Sequence, residues 1–288
     1  MPVAPDNIIR IQTRRPISAH RMIRSIQRVP LSRRHPWNGM AMNNTTRPDL
    51  LLTQHTLVCL TDSVLVFLNL RNDQYACFER QYTVPIGKLL GLPVSSVEDL
   101  KPPIRPAEDE TVRTEVRKMI ANGFATQDSK EGKRAEFITQ PSELREILGY
   151  EIGKGPKVRV GHVLNFFKAL IVTKSLLRFA SMERKVLRVK RRKARYFAKG
   201  STEPALERIN ELVEVYKILK PLFVTVKDEC LFNSLFLIEF LACYRVYPSW
   251  YFGVRLNEFY AHCWVQDKNV IYDDFIQDIS ANQPIMAV

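Results

Sequence analysis

Short apolar runs separated by polar turn residues follow one another from Leu51 to about residue 78. Thr-Asp-Ser and Arg-Asn-Asp, between the runs, are turn signals, and the runs are rich in Val, Leu, Phe and Tyr. The pattern predicts a three-stranded meander over Thr56–Leu60, Val64–Leu70 and Gln74–Phe78. Proline-rich stretches then bracket a predicted helix over Glu108–Ala121, which ends at Asn122-Gly123.

A polar stretch separates this region from the C-terminal half. Asp128–Gly155 shows no sustained strand pattern, so it is predicted to be a linker with a short helix at Ser142–Leu148. The predicted organisation is therefore an N-terminal extension at 1–49, a first domain at 50–127, a linker at 128–157 and a second domain at 158–288.

The second domain starts with a helical pattern and continues with strands. Apolar residues at helical spacing predict a core-facing helix, at Val163, Phe166, Phe167, Leu170, Ile171 and Leu177. Lys168, Lys174 and Arg178 interrupt it, so we do not expect it to span a membrane. The basic segment 184–199 ends at Gly200, and a further helix is predicted between Pro204 and Pro221.

An apolar helix is predicted from Cys230 to about Tyr244. Three strand-like runs follow it, at Trp250–Arg255, Tyr260–Gln266 and Val270–Tyr272. Helices followed by antiparallel strands predict an α+β fold.

The net charge of +13 comes from two local segments rather than from the whole chain. Residues 1–41 contain eight arginines against Asp6 alone, and residues 183–199 contain nine Lys or Arg against Glu183. The remainder is slightly acidic. No base-reading motif or aromatic interleaving accompanies the charge, so no nucleic acid is expected as a partner. The basic helix is expected to be a solvated face, with an acidic partner protein or peripheral association with an anionic membrane as the alternatives.

Residues 1–49 are rich in arginine, punctuated by proline and poor in acids. Three interpretations are open: a disordered arm for an anionic partner, a transit-like presequence, or upstream sequence from a misplaced start with Met40 or Met42 as the true one. A solvated tail without a role is the fourth. Compact patterning starts only near Leu51, which favours the misplaced start.

The cysteines predict reduced thiols in a cytoplasm. The five occur at 59, 77, 230, 243 and 263, without a CxxC motif and in odd number, and no signal peptide begins the chain. The histidines are scattered and no HExxH motif occurs, so no metal site is predicted.

Cys230 is the first candidate for chemistry. It lies in the first turn of the predicted helix, where the helix dipole favours a thiolate, although Asp228 and Glu229 oppose that effect. Taken alone it is better explained as a small buried hydrophobic residue.

His262 and Asp274 supply what a nucleophilic cysteine needs. If Asp267, Lys268 and Asn269 form a hairpin loop, His262 falls opposite Asp274 on one sheet face. The carboxylate can then fix the imidazole so that its other nitrogen faces the thiol. A one-residue slip would bring Asp273 there instead, and the alternative is a core Cys, a surface His and a turn Asp.

Several motifs, in this order, resemble the lasso-peptide biosynthesis B proteins. They are Lys-Pro-Leu-Phe, Cys-Leu-Phe-Asn-Ser-Leu, Tyr-Pro-Ser-Trp-Tyr-Phe-Gly-Val, Ala-His-Cys-Trp-Val and Pro-Ile-Met-Ala-Val, from about residue 158 to the end. The members of that family are bacterial leader peptidases with a transglutaminase-like, papain-like cysteine protease core. The resemblance implies Cys230 as nucleophile, His262 as general base and Asp274, rather than Asp273, as the orienting group.

Residues 50 to about 125 resemble, less specifically, the small winged-helix domain that recognises precursor leader peptides in this family. The segment that carries the resemblance runs from Val58 to Tyr75. An edge strand of such a sheet can accept an extended leader as an added strand. The candidate edge comprises Gln74, Tyr75, Ala76, Cys77 and Phe78, for which plain core packing is the alternative.

The resemblance implies a cytoplasmic bacterial enzyme that removes the leader of a lasso-peptide precursor. It implies an asparagine-synthetase-like cyclase as partner, with ATP used in the joint process and no cofactor bound by this chain. Two other functions remain open: an acyl transferase that uses the same triad, and a non-catalytic winged-helix module that binds DNA or peptide.

Overall fold

The computed structural model describes the backbone of residues 9–12 and the chain over 50–93, 107–141, 143–147, 155–200, 202, 204–224, 230–256 and 258–288. Two compact units divide these residues. The first ends at Phe137, and the second runs from Ile138 to Val288.

The first unit is built on an antiparallel meander. Its strands in chain order are β1 (Ile9–Gln12), β2 (Leu51–Thr53), β3 (Thr56–Thr61), β4 (Val64–Asn69), β5 (Gln74–Cys77), β6 (Ala125–Thr126) and β7 (Gly132–Lys133). One sheet has the order β1-β5-β4-β3, and a small second sheet has the order β6-β2-β7. The predicted meander is confirmed in β3, β4 and β5.

The core of the first unit lies between these strands and two helices, α1 (Thr83–Leu89) and α2 (Asp109–Ala121). Every residue of the central strand β4 is buried, and Phe67 packs edge-on against Phe78 at 5.7 Å between ring centroids. Gly123, at φ 71°, turns the chain after α2, and its carbonyl accepts a 2.9 Å hydrogen bond from Asn69. The helix predicted at Glu108–Ala121 is confirmed.

The second unit contains a helical layer. Its helices are α3 (Val160–Phe179), α4 (Met182–Phe197), α5 (Leu206–Phe223) and α6 (Cys230–Ala242). Aromatic rings pack at the centre of the layer, with Phe166 of α3 4.8 Å and Tyr216 of α5 5.1 Å from the ring of Phe236. Helix α5 continues past Pro221 to Phe223, so the prediction that Pro221 closes this helix was wrong.

Helix α3 carries both buried and exposed apolar residues. Phe166, Ala169 and Leu170 are buried, whereas Val160 and Ile171 are 77% and 68% exposed. Among the described residues, α3 is long and apolar enough to cross a membrane by length and composition, a test that the core helix of a soluble protein also passes. Its packing against α5 and α6 agrees with the predicted core-facing helix.

The strands of the second unit form one mixed sheet against α6. They are β8 (Arg145–Glu146), β9 (Ser249–Arg255), β10 (Tyr260–Asp267), β11 (Val270–Ile271) and β12 (Gln283–Ala287), and a short helix α7 (Ile276–Ser280) precedes β12. The order is β12-β9-β10-β11-β8, with β8 parallel to β11 and the other pairs antiparallel. Helices followed by antiparallel strands confirm the α+β prediction.

The predicted linker is not structureless. Its residues supply β7 to the first unit and β8 to the second, and Ile147 donates a 3.1 Å hydrogen bond to the carbonyl of Ile271. The short helix predicted at Ser142–Leu148 was wrong, since residues 145–146 form a strand. The pairing with β11 decides the conformation, which a local polar pattern does not reveal.

The basic helix α4 is held to α6 by an internal ion cluster. Glu239 of α6 is only 3% exposed and accepts hydrogen bonds from Arg188 at 3.1 Å and from Arg192 at 2.6 Å. The expectation of a solvated face was wrong for Arg192, which is half-buried, whereas Arg188 is exposed and still contributes to neutralising the buried carboxylate. Arg184, Arg191 and Arg195 are exposed.

Candidate active site

Cys230 lies at the first position of α6, at the end of the helix that faces a cavity. The first N–H groups of a helix have no intrahelical acceptor and carry the positive end of its dipole. The backbone around Cys230 therefore favours negative charge at this position. Asp228 and Glu229, whose charges were expected to oppose a thiolate, lie outside the described residues.

His262 is positioned by the alternation of β10. Tyr260, His262 and Trp264 point to one face of the sheet and stack, with ring centroids 5.8 Å apart in the first pair and 6.1 Å in the second. Gly253 pairs with His262 across β9 and β10. A Cβ there would lie 2.9 Å from the Trp264 ring, so the absent side chain makes room for the stack.

Asp274 is the carboxylate that contacts the imidazole. Its Oδ2 lies 2.6 Å from Nε2 of His262, and its Oδ1 accepts a 2.9 Å hydrogen bond from the backbone N–H of Phe275. Asp273 instead pairs with Lys220, whose Nζ lies 2.9 Å from its Oδ2. The two neighbouring carboxylates therefore have different partners, and only Asp274 contacts His262.

The hairpin brings Asp274 to His262 in a way that differs from the prediction. Gln266 pairs with Ile271 and Asp267 with Val270, so the predicted three-residue loop was wrong and the loop is Lys268-Asn269. Lys268 takes a φ of 50°, which the tight reversal requires. Continued pairing in this register would put Phe275 opposite His262. Asp274 reaches the imidazole because β11 stops at Ile271 and the chain bends over residues 272–274.

The early end of β11 leaves part of β10 open at its edge. Tyr272 donates its N–H to the carbonyl of Val265, and Cys263, two residues earlier, directs its backbone groups to the same edge. The groups that lower the pKa of Cys230 are the thiol and backbone of Cys263 and the side chain of His262, so the Cys230 thiol lies beside this edge. The end of the β10–β11 hydrogen bonds at Ile271 thus leaves space beside β10 for the Cys230 thiol.

The surroundings of Cys230 favour its thiolate. The hydrogen bond with the Cys263 thiol lowers the pKa of Cys230 most; burial opposes it, hydrogen bonding and charge from His262 lower it further, and the pKa falls to about 5. Burial lowers the pKa of His262, but hydrogen bonds to Asp274 and Cys230 outweigh it and raise that pKa to about 10. Between these values the pair is a thiolate beside an imidazolium, the reactive form of a cysteine nucleophile.

A buried polar network supports the nucleophile from behind. Ser234 donates to the carbonyl of Cys230 at 2.7 Å, lies 3.3 Å from the sulfur of Cys263, and accepts from the indole N–H of Trp250 at 2.9 Å. Burial raises the pKa of Cys263 well above its usual value, so this thiol stays protonated and donates. The sequence predictions missed Ser234 and Cys263, although Ser234 lies one helical turn after Cys230.

Tyr260 is a further cavity residue that the sequence predictions missed. Its hydroxyl lies 3.4 Å from Nδ1 of His262, and the guanidinium of Arg255 lies 4.6 Å from the centre of its ring. The sequence could have indicated it, because Tyr260 and Trp264 flank His262 at two-residue spacing, and residues spaced by two along a strand share one sheet face.

The cavity has a volume of about 470 Å³ and joins the thiol, the imidazole and the carboxylate. Lys217 and Asn233 contribute polar groups from the helices, and Phe275 and Asp278 lie beyond Asp274. Phe275 is 64% exposed and adds an apolar surface. No group of three His, Cys, Asp or Glu residues suited to a metal ion occurs in the part of the chain that the structure describes.

The residues of the predicted leader-binding edge lie in the first unit. Tyr75, Ala76 and Phe78 are buried in the core, and Gln74 and Cys77 are half-buried. Residues 9–12 pair with residues 74–77, so this edge already holds a strand of the same chain.

Comparison with protein families identifies a known domain within the second unit. Residues 169–287 match the family model described as the transglutaminase-like superfamily, which includes cysteine proteases and acyltransferases. The chain therefore carries a transglutaminase-like domain in its C-terminal half. No curated protein and no solved structure matches the chain.

Proposed function

We propose that the chain is a cysteine endopeptidase that removes the leader from a ribosomally made lasso-peptide precursor before the core peptide is cyclised. The observation that carries the proposal is the 2.6 Å contact of His262 with Asp274, beside a thiol whose pKa is lowered to about 5. Cys230 is the nucleophile, His262 the general acid and base, and Asp274 the orienting group. A transglutaminase-like domain supplies the fold for such a site.

The reaction passes through a thioester. The Cys230 thiolate attacks the scissile carbonyl while free N–H groups at the start of α6 stabilise the oxyanion. The imidazolium of His262 gives its proton to the leaving amine, which becomes the N-terminus of the core peptide. Water then attacks the thioester with His262 as base, and Asp274 holds Nε2 so that Nδ1 serves both proton transfers.

Leader recognition is assigned to the first unit, as a winged-helix-like peptide-binding domain. An extended leader adds to β5 through main-chain hydrogen bonds, which raises the local concentration of the scissile bond for the second unit. The freed core peptide passes to an asparagine-synthetase-like cyclase, to which the ATP requirement of the joint process is assigned.

The test is mass spectrometry of the synthetic precursor encoded beside the gene. Wild-type protein and Cys230→Ala are compared, each with and without the cyclase and ATP. Leader release by wild type and not by the variant is expected. An intact precursor with both proteins under every condition would refute the peptidase function.

An acyl transferase remains the nearest rival, since the same thioester can be attacked by an amine instead of water. Adding a primary amine such as putrescine to the same assay separates the two. A mass increase that corresponds to the amide of putrescine, in preference to hydrolysis, would assign the acyl transferase.

A DNA-binding module is the second rival. Arg188 and Arg192 are engaged by Glu239, which reduces the free positive charge of α4. Steeply salt-dependent binding of duplex DNA would favour this rival.

A further inference from the structure

The edge of the first unit's main sheet is occupied by the chain's own N-terminal segment. Strand β1 pairs antiparallel with β5 along its whole length, with Ile9 opposite Cys77 and Gln12 opposite Gln74. Without β1 the sheet would end at β5, because the order is β1-β5-β4-β3. Residues 9–12 therefore satisfy backbone groups that would otherwise form an open edge.

This edge offers mainly backbone to any strand that pairs with it. Tyr75 and Ala76 are buried in the core of the unit, so their side chains are committed to packing. Recognition by strand addition draws its affinity from main-chain hydrogen bonds, which any extended segment without proline can make. Two extended segments therefore compete for the same row of N–H and C=O groups.

We propose that residues 9–12 are an intramolecular competitor for the peptide-binding edge of β5, so that the chain occupies its own recognition strand until a peptide displaces it. Identification of that peptide as a leader rests on the proposed function, but occupation of the edge does not. Because β1 and β5 belong to one chain, the pairing is independent of protein concentration, and the apparent affinity of an incoming peptide is its intrinsic affinity multiplied by the fraction of molecules whose edge is unoccupied.

The first experiment vacates the edge in the full-length chain. The double substitution Arg10→Pro with Ile11→Pro removes two adjacent backbone N–H groups. Alternate residues of an antiparallel strand bond to the same neighbour, so one of these two groups belongs to the ladder with β5. The double substitution Ser25→Pro with Ile26→Pro, in the same basic segment but outside β1, is the matched control.

The probe is a fluorescein-labelled synthetic peptide of residues 1–20, and its binding is measured by fluorescence anisotropy. We expect the β1 variant to bind the peptide at least about tenfold more tightly than wild type, as expected when a competing strand is removed. The Ser25→Pro, Ile26→Pro control is expected to bind as wild type does, and a peptide with proline at positions 10 and 11 is expected not to bind. Equal affinity for wild type and the β1 variant, or no binding to either, would overturn the proposal.

Hydrogen exchange and oligomeric state complete the test. Amides of residues 74–77 are expected to be protected in wild type and to exchange faster in the β1 variant, while those of β4 remain protected. Light scattering is expected to give a monomer. A dimer that dissociates in the β1 variant would overturn the intramolecular pairing, because a second copy would then donate the strand.

A displacement assay separates this proposal from the proposed function. The synthetic leader is added to the β1 variant with the labelled peptide bound, and displacement supports both. If the labelled peptide binds but the leader does not displace it, self-occupation stands and leader recognition at β5 fails.

Discussion

Strand edges are used in opposite ways by the two units. In the first unit, the edge of β5 is covered by another backbone segment, β1. In the second, the edge of β10 is left open because β11 is two residues long, and the Cys230 thiol lies beside this gap, near Cys263 and His262. A backbone ladder tolerates many sequences, whereas a thiol beside a gap depends on each neighbouring side chain. Substitutions should therefore have far larger effects around the gap than along β5.

The largest expected effect follows removal of the imidazole. His262→Ala takes away the charge and hydrogen bond that help to lower the pKa of Cys230 and removes the proton donor for the leaving amine. Precursor cleavage should fall more than about 10³-fold. The pKa of Cys230 should rise, measured as the pH dependence of iodoacetamide alkylation of the peptide that carries it.

The wild-type pH profile is the reference for that measurement. The thiolate forms as pH rises through about 5, and the imidazolium proton is lost as pH rises through about 10, so alkylation should persist down to about pH 5 and cleavage should decline near pH 10. Cys59, whose pKa burial raises to about 12, is the internal control and should stay unmodified. An alkylation midpoint near 9 in wild type would contradict the ion pair.

The next largest effect is expected at Asp274 and not at the adjacent Asp273. Asp274→Asn weakens the group that holds His262, and cleavage should fall by about 10²–10⁴-fold because the imidazole loses its fixed tautomer. Asp273→Asn is the matched control, since Asp273 pairs with Lys220 and should change cleavage less than about tenfold. Equal losses would mean that the hairpin positions both carboxylates at the reacting groups. Cleavage rates with the synthetic precursor give the comparison.

The same contrast explains what could be predicted from the sequence. The meander strands β3, β4 and β5 and the α+β order follow from local periodicity, which a single sequence contains. The contact of His262 with Asp274 was anticipated from an incorrect register, and it forms because β11 ends early. Local patterns do not reveal where a ladder stops, nor that β8, from a distant segment, pairs with the other edge of β11.

Pairings distant in sequence account for two further differences from the predictions. Arg188 and Arg192 were grouped with a solvated face, because their partner Glu239 lies on another helix and carries no local signal. Strand β1 was not anticipated either, since the Arg- and Pro-rich composition around it resembles an unstructured tail. In each case a partner beyond the local window decides the structure.

The third prediction concerns the scaffold that holds Cys230. Arg192→Ala leaves the buried carboxylate of Glu239, on the same helix as Cys230, with Arg188 alone. The free energy of unfolding should fall by about 2–3 kcal/mol, the cost of removing one partner from a buried ion cluster. Arg191→Ala, one residue away and exposed, should stay within about 0.5 kcal/mol of wild type. Urea unfolding measures both, and equal values would contradict the internal role of Arg192.

The smallest effects are expected along β5. Gln74 and Cys77 are half-buried, and a peptide that adds to this strand draws its affinity from the main chain, which Gln74→Ala and Cys77→Ala leave intact. In the Arg10→Pro, Ile11→Pro background, each should change affinity for the labelled peptide of residues 1–20 less than about threefold. A loss of about tenfold or more, about 1.4 kcal/mol, would show that side-chain pockets dominate at this edge. The first unit would then select peptides by side-chain identity, and a chosen leader sequence rather than any extended segment would displace β1.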